Sequence, residues 1–286
     1  MRKGIFNGLI ITAGLGFLSS CDIIDEPYQT GGTTGGGTEE VVRNILIEDF
    51  TGHTCGNCWE AADIADNLVD LYGDRVIVIG THVGFFAKPK SNPEGKYAYD
   101  FRTTAGTDID ALYEASAVGL PQGMVSRKVD GAGKIVQPRG AWGSAVADMI
   151  NDETPPLVDI KMTSTYTEAS KSAELKVSVN YLDEGPTSYK LVVNVLESHI
   201  ISWQKIYTDT LDYDKADYQH NHVLRKSISA TFGDELSATV VAPGATIDKN
   251  YTINKDEEWV YENVEIVAYV LDASTEEVVQ AAKIKL

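Results

Sequence analysis

The 286-residue sequence predicts an α/β domain followed by an all-β sandwich domain. Up to Ile150 the apolar residues follow a strand–helix–strand pattern, and beyond Pro156 they alternate with polar residues. A polar segment at 151–156, which ends in two prolines, separates the two patterns. We therefore expect one domain at 41–153 and a second at 154–286.

The first twenty residues have the features of an export signal. Two basic residues precede an apolar run at 5–18, which is shorter than the roughly 20 residues that a membrane-spanning helix needs. The run ends in Leu-Ser-Ser before Cys21, which resembles a bacterial lipobox. The resemblance implies cleavage before Cys21, which removes the signal peptide at 1–20, and acylation of Cys21. An ordinary signal peptide that leaves Cys21 free is the alternative, although a free exposed thiol is a liability in an exported protein.

Composition limits the partners of the chain. Residues 21–40 are rich in Gly and Thr, which predicts a flexible tether. The formal net charge of −18 excludes nucleic acid held by phosphate neutralisation. Anionic lipid also repels an acidic chain, so we expect the lipid on Cys21 to make the membrane contact. No cofactor is predicted.

A strand, a helix and a strand open the first domain. Residues 41–50 and 75–81 are predicted as buried strands, and 58–72 have apolar residues at helical spacing before a C-capping Gly73. This unit of about forty residues predicts that the two strands are parallel. The rest of the domain is predicted as an inserted loop (83–106), a short helix (108–116) and a strand after Pro121 (122–129). A hairpin turn (130–133), a return strand (134–137) and a closing helix (141–150) follow.

The second domain has the period of two that is typical of strands with one buried face. Several such strands without an intervening long helix predict an immunoglobulin-like sandwich. The predicted strands are 158–162, 175–179, 191–195, 251–253, 264–270 and 278–286. Residues 200–222 are predicted as a long aromatic and acidic connection.

Cys55 and Cys58 are the two thiols beyond Cys21. At the start of a helix, the helix dipole favours a thiolate on the first cysteine, and the second can resolve a mixed disulfide. Cys55 is therefore the predicted nucleophile and Cys58 the resolving thiol. A purely structural disulfide is the alternative, although closing so small a loop stabilises a chain little.

The residues around this pair resemble thioredoxin. Asp49 lies six residues before Cys55, where that family has a buried acid that shuttles a proton for the second cysteine. Leu120-Pro121 before a strand resembles its cis-proline loop, and a trans loop proline is the alternative. The resemblance implies that Cys55, Cys58, Asp49 and Pro121 form the site.

This sequence also departs from the thioredoxin pattern. Thr54 stands where an aromatic residue usually precedes the first cysteine. Glu48, Glu60 and Asp63 add negative charge near the thiols in sequence, without a neighbouring Lys or Arg. We therefore expect less thiolate stabilisation than in a strong oxidant.

A further resemblance extends over nearly the whole chain. The lipobox, the sequence Ile-Glu-Asp-Phe-Thr-Gly-His-Thr-Cys at 47–55 and His-Asn-His-Val-Leu-Arg at 220–225 are similar to the twenty-eight-kilodalton outer-membrane lipoprotein family of Bacteroidetes. The resemblance implies a lipid-anchored outer-membrane protein with a thioredoxin-like domain and a β-sandwich, on the cell surface or the periplasmic face. Its function is then thiol–disulfide exchange on exported or surface proteins, or adhesion and partner binding with a structural Cys55–Cys58 disulfide.

Several residues allow a second interpretation. His53 and His82 could join the two cysteines in a metal site, or tune the thiol pKa, or lie on the surface. His220 and His222 are expected on one strand face, where they could bind a metal or a partner, or simply pack or face water. Arg225 could pair with the acidic segment before them. Four aspartates could bind Ca²⁺ or form a solvated loop: Asp209, Asp212, Asp214 and Asp217. Aromatic residues of the insertion could line a peptide groove or pack ordinarily: Phe85, Phe86, Tyr97, Tyr99 and Phe101.

Overall fold

The structure is a computed structural model that describes residues 41–286. The predicted signal segment, Cys21 and the tether lie outside the described residues.

The N-terminal part mixes helices and strands as predicted. Its elements are β1 (Ile45–Thr51), α1 (Cys58–Tyr72), β2 (Val76–His82), α2 (Thr104–Tyr113), β3 (Gln122–Val125), β4 (Gln137–Pro138) and α3 (Trp142–Ile150). Strands β1 and β2 are parallel, which confirms the strand–helix–strand prediction, and β3 joins β1 antiparallel. The predicted 122–137 hairpin is reduced to a two-residue pairing of β3 with β4, although a turn remains at 130–134.

Alternation along β1 directs its side chains into two different cores. Ile45 and Ile47 pack with α1 and α3, where Ala61 and Trp142 are fully buried. Leu46, on the other face, belongs to a second core. Asp49 therefore faces the α1 side and Glu48 the opposite side.

The C-terminal part is rich in β-structure, which also agrees with the prediction. Its strands are β5 (Val158–Thr167), β6 (Ser172–Tyr181), β7 (Tyr189–Glu197), β8 (Ile200–Ile206), β9 (Tyr213–His220), β10 (Val223–Ser227), β11 (Asp234–Glu235), β12 (Thr246–Asn254), β13 (Val264–Asp272) and β14 (Val278–Lys285). Strands β12, β6 and β5 form one sheet, and their apolar side chains share a core with those of β7 and β13.

One sheet continues from the β-rich part into the α/β part. Its strand order is β14-β13-β7-β10-β2-β1-β3-β4, with β11 paired to β7. The parts join where β10 lies parallel to β2, and the Gly80 amide donates to the His222 carbonyl at 2.7 Å. A Cβ on Gly80 would lie 3.3 Å from the Asn221 carbonyl oxygen, so glycine permits this approach. Residues 41–286 accordingly belong to one compact unit.

The predicted connection at 200–222 is wrong in its secondary structure. Strands β8 and β9 pair antiparallel from Ile200↔His220 to Ile206↔Tyr213, with an irregularity at Trp203. We call this pair of strands the covering hairpin. Most of its outward side chains are polar or charged, so its pattern lacks a strong apolar alternation.

A buried ion pair of the α/β part also contacts the β-rich part. Arg127 donates from Nε and Nη2 to the two carboxylate oxygens of Glu48, both at 2.7 Å, and its side chain is fully buried. Nη2 also donates to the Tyr269 hydroxyl of β13 at 3.1 Å. Glu48 is thus neutralised and faces away from Asp49, which corrects the expectation that its charge acts on the thiols without an offsetting cation.

Within residues 41–286, no helix combines the length and the apolar character needed to cross a membrane.

Candidate functional site

Cys55 and Cys58 form a disulfide with their Cα atoms 5.5 Å apart. The Cys55 amide donates to the Gly52 carbonyl at 2.9 Å, and α1 begins at Cys58. Cys55 therefore lies in the turn before the helix. The exposed fractions of Cys55 and Cys58 are 3% and 1%. Such burial is unexpected for a nucleophile that must meet another protein.

The covering hairpin causes this burial. The Lys205 amide donates to the His53 carbonyl and the Tyr207 amide to the Gly56 carbonyl, both at 2.8 Å. The buried Gln204 side chain donates to the Cys55 carbonyl at 2.9 Å. Strand β8 thus pairs with the cysteine turn through backbone and side chain.

Tyr207 approaches the turn so closely that residue 56 has to be glycine. A Cβ on Gly56 would lie 2.2 Å from the Tyr207 ring. The indole of Trp59, in the first turn of α1, donates to the Tyr207 carbonyl at 3.1 Å. The turn and the hairpin are therefore closely packed and hydrogen-bonded to each other.

We predict that Gly56→Ala uncovers the disulfide. Because the new methyl group overlaps Tyr207, the hairpin has to shift, at a cost of about 1–3 kcal/mol. Reduction of the disulfide by a small phosphine, followed by thiol titration, should become at least several-fold faster. Gly140→Ala is the matched control, since a Cβ there meets no atom within 4 Å. Equal reduction rates in the two variants would contradict this account of the burial.

The insertion closes the other side of the turn. The Thr54 amide and hydroxyl both donate to the Phe86 carbonyl, at 3.1 and 2.9 Å. Tyr97 and Phe101 are buried, whereas Phe85 is 74% exposed. Ordinary packing therefore accounts for Phe101, whereas Tyr97 is buried and also lines an open pocket beside the turn.

Asp49 lies beneath the disulfide on the α1 side of β1. It lines a cavity of about 30 Å³ together with Cys58, His82 and His220. Its carboxyl is buried, and Oδ1 has no hydrogen-bond partner. Burial, with a smaller contribution from the nearby Asp66 carboxylate, raises the pKa of Asp49 to about 8. The carboxyl is therefore largely protonated at neutral pH, as a proton donor to Cys58 must be.

Pro121 lies at the start of β3, and its peptide bond with Leu120 is cis. Pairing of Gln122 with Phe50 brings this residue to the end of β1 that leads into the cysteine turn. Pro121 is buried.

The histidines form a buried cluster around Phe101. The Phe101 ring centroid lies 4.6 Å from that of His82, 4.8 Å from His220 and 5.9 Å from His53. Burial lowers the pKa of His53 and His82, and it lowers the pKa of His220 to about 4. All three are therefore neutral at pH 7, and the surface alternative for His53 and His82 is wrong.

The three metal interpretations gain no support. In the described part of the chain, no three His, Cys, Asp or Glu side chains are arranged to hold a metal ion. Asp214, placed by prediction in an acidic loop, lies in β9 and pairs with Lys96 and Lys205. Tyr97 also donates to it, and these contacts lower the pKa of Asp214 to about 2.

The segment around His220 differs from the prediction. His220 ends β9 inside the histidine cluster, whereas His222 lies beyond the strand, half-buried and with a positive φ of 54°. The two therefore do not share one strand face. Arg225 does not pair with the acidic segment, because its Nε lies 3.3 Å from the Glu197 carboxylate.

Two sets of contacts at the site were not predicted from the sequence. Gln204 and Tyr207 touch the cysteine turn from about 150 residues away in sequence, and no local pattern marks them. Glu60, expected to act on the thiols, is paired with Arg139 from the segment before α3. The sequence shows that Arg139 is a cation, but its position beside α1 follows only from the fold.

Comparison with known protein families identifies the family of this chain. The family model described as outer membrane protein Omp28 matches residues 109–286, which is more than half of the chain. The chain belongs to the Omp28 family. The outer-membrane location predicted from the sequence is thereby confirmed, as is the predicted family relationship.

Solved structures extend the Omp28 comparison beyond the matched region. HBP35 of Porphyromonas gingivalis has 19% sequence identity and a TM-score of 0.61, and the match covers 85% of this chain and 75% of that one. A domain of the outer membrane lipoprotein Omp28 from Porphyromonas gingivalis has 22% identity and a TM-score of 0.31, over 46% of this chain and 88% of that one. HBP35 therefore supports a shared fold. No curated protein sequence matches this Omp28 chain.

Proposed function

We propose that this outer-membrane protein carries out thiol–disulfide exchange through Cys55 and Cys58 on exported or surface proteins. The observation that carries the proposal is Asp49, a buried carboxyl with an unpartnered oxygen in the cavity that Cys58 lines. A buried polar group without a partner is costly. A purely structural disulfide does not need that cost, whereas a resolving thiol needs a proton donor.

In the oxidising direction, a substrate thiolate attacks Sγ of Cys55 and the Cys55–Cys58 bond breaks. Cys58 leaves as a thiolate and takes the proton of Asp49. A second substrate thiolate then attacks the substrate sulfur of the mixed disulfide, which releases Cys55. The substrate loses two electrons and becomes a disulfide, while the cysteine pair gains them. The reducing direction uses the same steps in reverse.

The covering hairpin has to move for this exchange. Its contacts with the cysteine turn are the hydrogen bonds of Gln204, Lys205 and Tyr207, which can break and reform without unfolding the sheet. Lid movements of this kind are common in enzymes that shield their chemistry from solvent.

The proposal includes a thioredoxin-like N-terminal part and an immunoglobulin-like C-terminal part. Support for the first is the parallel pairing of β1 and β2 around α1, with Pro121 at the start of the adjacent β3. Support for the second is the common core of β5, β6 and β12 with β7 and β13. We also propose that acylated Cys21 attaches the chain to the membrane.

We predict that the cysteine pair of the full chain has the reduction potential of a redox-active site. Equilibration with dithiothreitol buffers should give a value between about −180 and −270 mV. The protein should also catalyse insulin reduction with dithiothreitol as the electron donor. Cys58→Ser should accumulate a mixed disulfide through Cys55, since the resolving thiol is absent.

The full chain is required because one sheet joins the two parts. Cys55→Ser is the matched control and should trap little mixed disulfide. A potential below about −300 mV together with no insulin reduction would refute the exchange function.

A second candidate is partner binding or adhesion with a structural disulfide. It is favoured by the 3% and 1% exposed fractions of Cys55 and Cys58. The same titration separates the two candidates, because a disulfide kept only for stability belongs at the low-potential end of the scale.

A further inference from the structure

An open pocket adjoins the cysteine turn at Thr54, the residue before Cys55. It has a volume of about 310 Å³, which is at the lower end of the range for ligand sites. The insertion and the covering hairpin supply the other lining residues, which are Lys90, Asn92, Lys96, Tyr97, Lys205, Tyr207 and Asp214. The pocket therefore spans both elements that flank the disulfide.

Its charge is opposite to that of the chain. Three lysines and one aspartate line it, in a protein whose formal net charge is −18. Asp214 is ionised and contacts Lys96 and Lys205, which leaves an excess of two positive charges. Such a local reversal attracts anions that the rest of the surface repels.

The lysines are held in defined positions. Lys90 and Lys205 lie over the rings of Tyr97 and Tyr207, at 5.0 and 5.6 Å from the ring centroids. The Asn92 side chain accepts from the Lys96 amide at 2.9 Å and donates to its carbonyl, which fixes the loop that carries Lys90. A preorganised group of cations loses little entropy when it binds a ligand.

We propose that this pocket binds a carboxylate side chain of an acidic polypeptide segment and so docks acidic protein substrates beside Cys55. A polypeptide fits better than a free anion, because the pocket is open and continues into the cysteine turn through Thr54. That the bound protein is a substrate rests on the proposed function. Binding of the acidic segment does not, because it needs no thiol–disulfide exchange.

The test measures binding to the oxidised full chain by fluorescence anisotropy at low ionic strength. The probe is a labelled peptide of four glutamates, and a peptide of four glutamines is its uncharged counterpart. We expect the glutamate peptide to bind more tightly, and added salt to weaken it. The double variant Lys90→Gln/Lys205→Gln should lower its affinity about tenfold, since it removes two of the three lysines that can pair with the glutamate carboxylates.

The matched control is Lys134→Gln/Lys161→Gln, which removes the same charge from exposed lysines that do not line the pocket. Equal weakening in the two double variants would overturn the proposal in favour of general charge attraction. So would equal binding of the two peptides, or displacement of the glutamate peptide by an equal concentration of inorganic phosphate, which would indicate a small-anion site. Because the assay contains no reductant, its failure is distinct from a failure of exchange activity.

Discussion

Arg127→Met should destabilise the protein by about 3–5 kcal/mol in urea unfolding monitored by tryptophan fluorescence. Removing the guanidinium leaves the Glu48 carboxylate buried without its two hydrogen bonds, and an unpaired buried charge is costly. The Tyr269 hydroxyl loses its contact as well, so the effect reaches the β-rich part of the sheet.

Two further variants separate the buried charge from the loss of packing. Arg127→Met/Glu48→Leu should recover much of the loss, because it replaces both charges by apolar groups. Arg139→Met, which breaks the partly exposed pair with Glu60, should cost less than about 1 kcal/mol. If the double variant were as unstable as Arg127→Met alone, the loss would come from packing.

The free energy of unfolding should pass through a maximum near pH 6.5. Burial lowers the pKa of His53, His82 and His220 from 6.5, so stability is lost as pH falls through 6.5, because the unfolded chain takes up protons that the folded state does not bind. Burial raises the pKa of Asp49 to about 8, so the folded state keeps a proton that the unfolded chain loses near pH 4. That contribution acts oppositely and is lost as pH rises through 8. Between pH 6.5 and 8 the loss from Asp49 exceeds the remaining gain from the three histidines, and stability should fall by less than about 1 kcal/mol.

Substitutions test which residues cause the loss of stability above and below pH 6.5. Asp49→Asn should abolish the fall above pH 6.5, and Asp209→Asn, in the exposed turn of the covering hairpin, should keep it. His220→Phe should make the rise below pH 6.5 shallower. A wild-type stability that stays constant from pH 6.5 to 8 would show that Asp49 is ionised in the folded protein.

Local pattern was enough to predict the elements that pack against their own neighbours in sequence. Helix α1 was predicted at 58–72, with the bounds that the structure has, because its apolar stripe packs on β1 and β2. Asp49 was found from its position relative to Cys55, and the structure buries it next to Cys58. The contacts of α1 with β1 and β2, and of Asp49 with Cys58, lie within about forty residues, the span over which periodicity is informative, whereas His220 of the same cavity comes from β9.

Long-range contacts could not be predicted in the same way. The junction of the two sheet regions depends on one close approach at Gly80, and a glycine in a strand can have several causes. The covering hairpin has an exposed outer face with Tyr213, Lys215 and Asp217, which gives the composition of a loop. Its cover over Cys55 depends on Gln204 and Tyr207, whose partners lie far away in the chain.

Because the chain is synthesised from its N-terminus, the covering hairpin forms late, and this affects when the Cys55–Cys58 disulfide can form. Synthesis and export run from the N-terminus, so Cys55 and Cys58 emerge long before the segment at 200–220. During that interval the two thiols are uncovered, and the outer edge of β2 still lacks β10. An oxidant in the exported compartment can therefore form the disulfide on a half-made protein. Completion of the chain then closes the hairpin over a bond that is already in place.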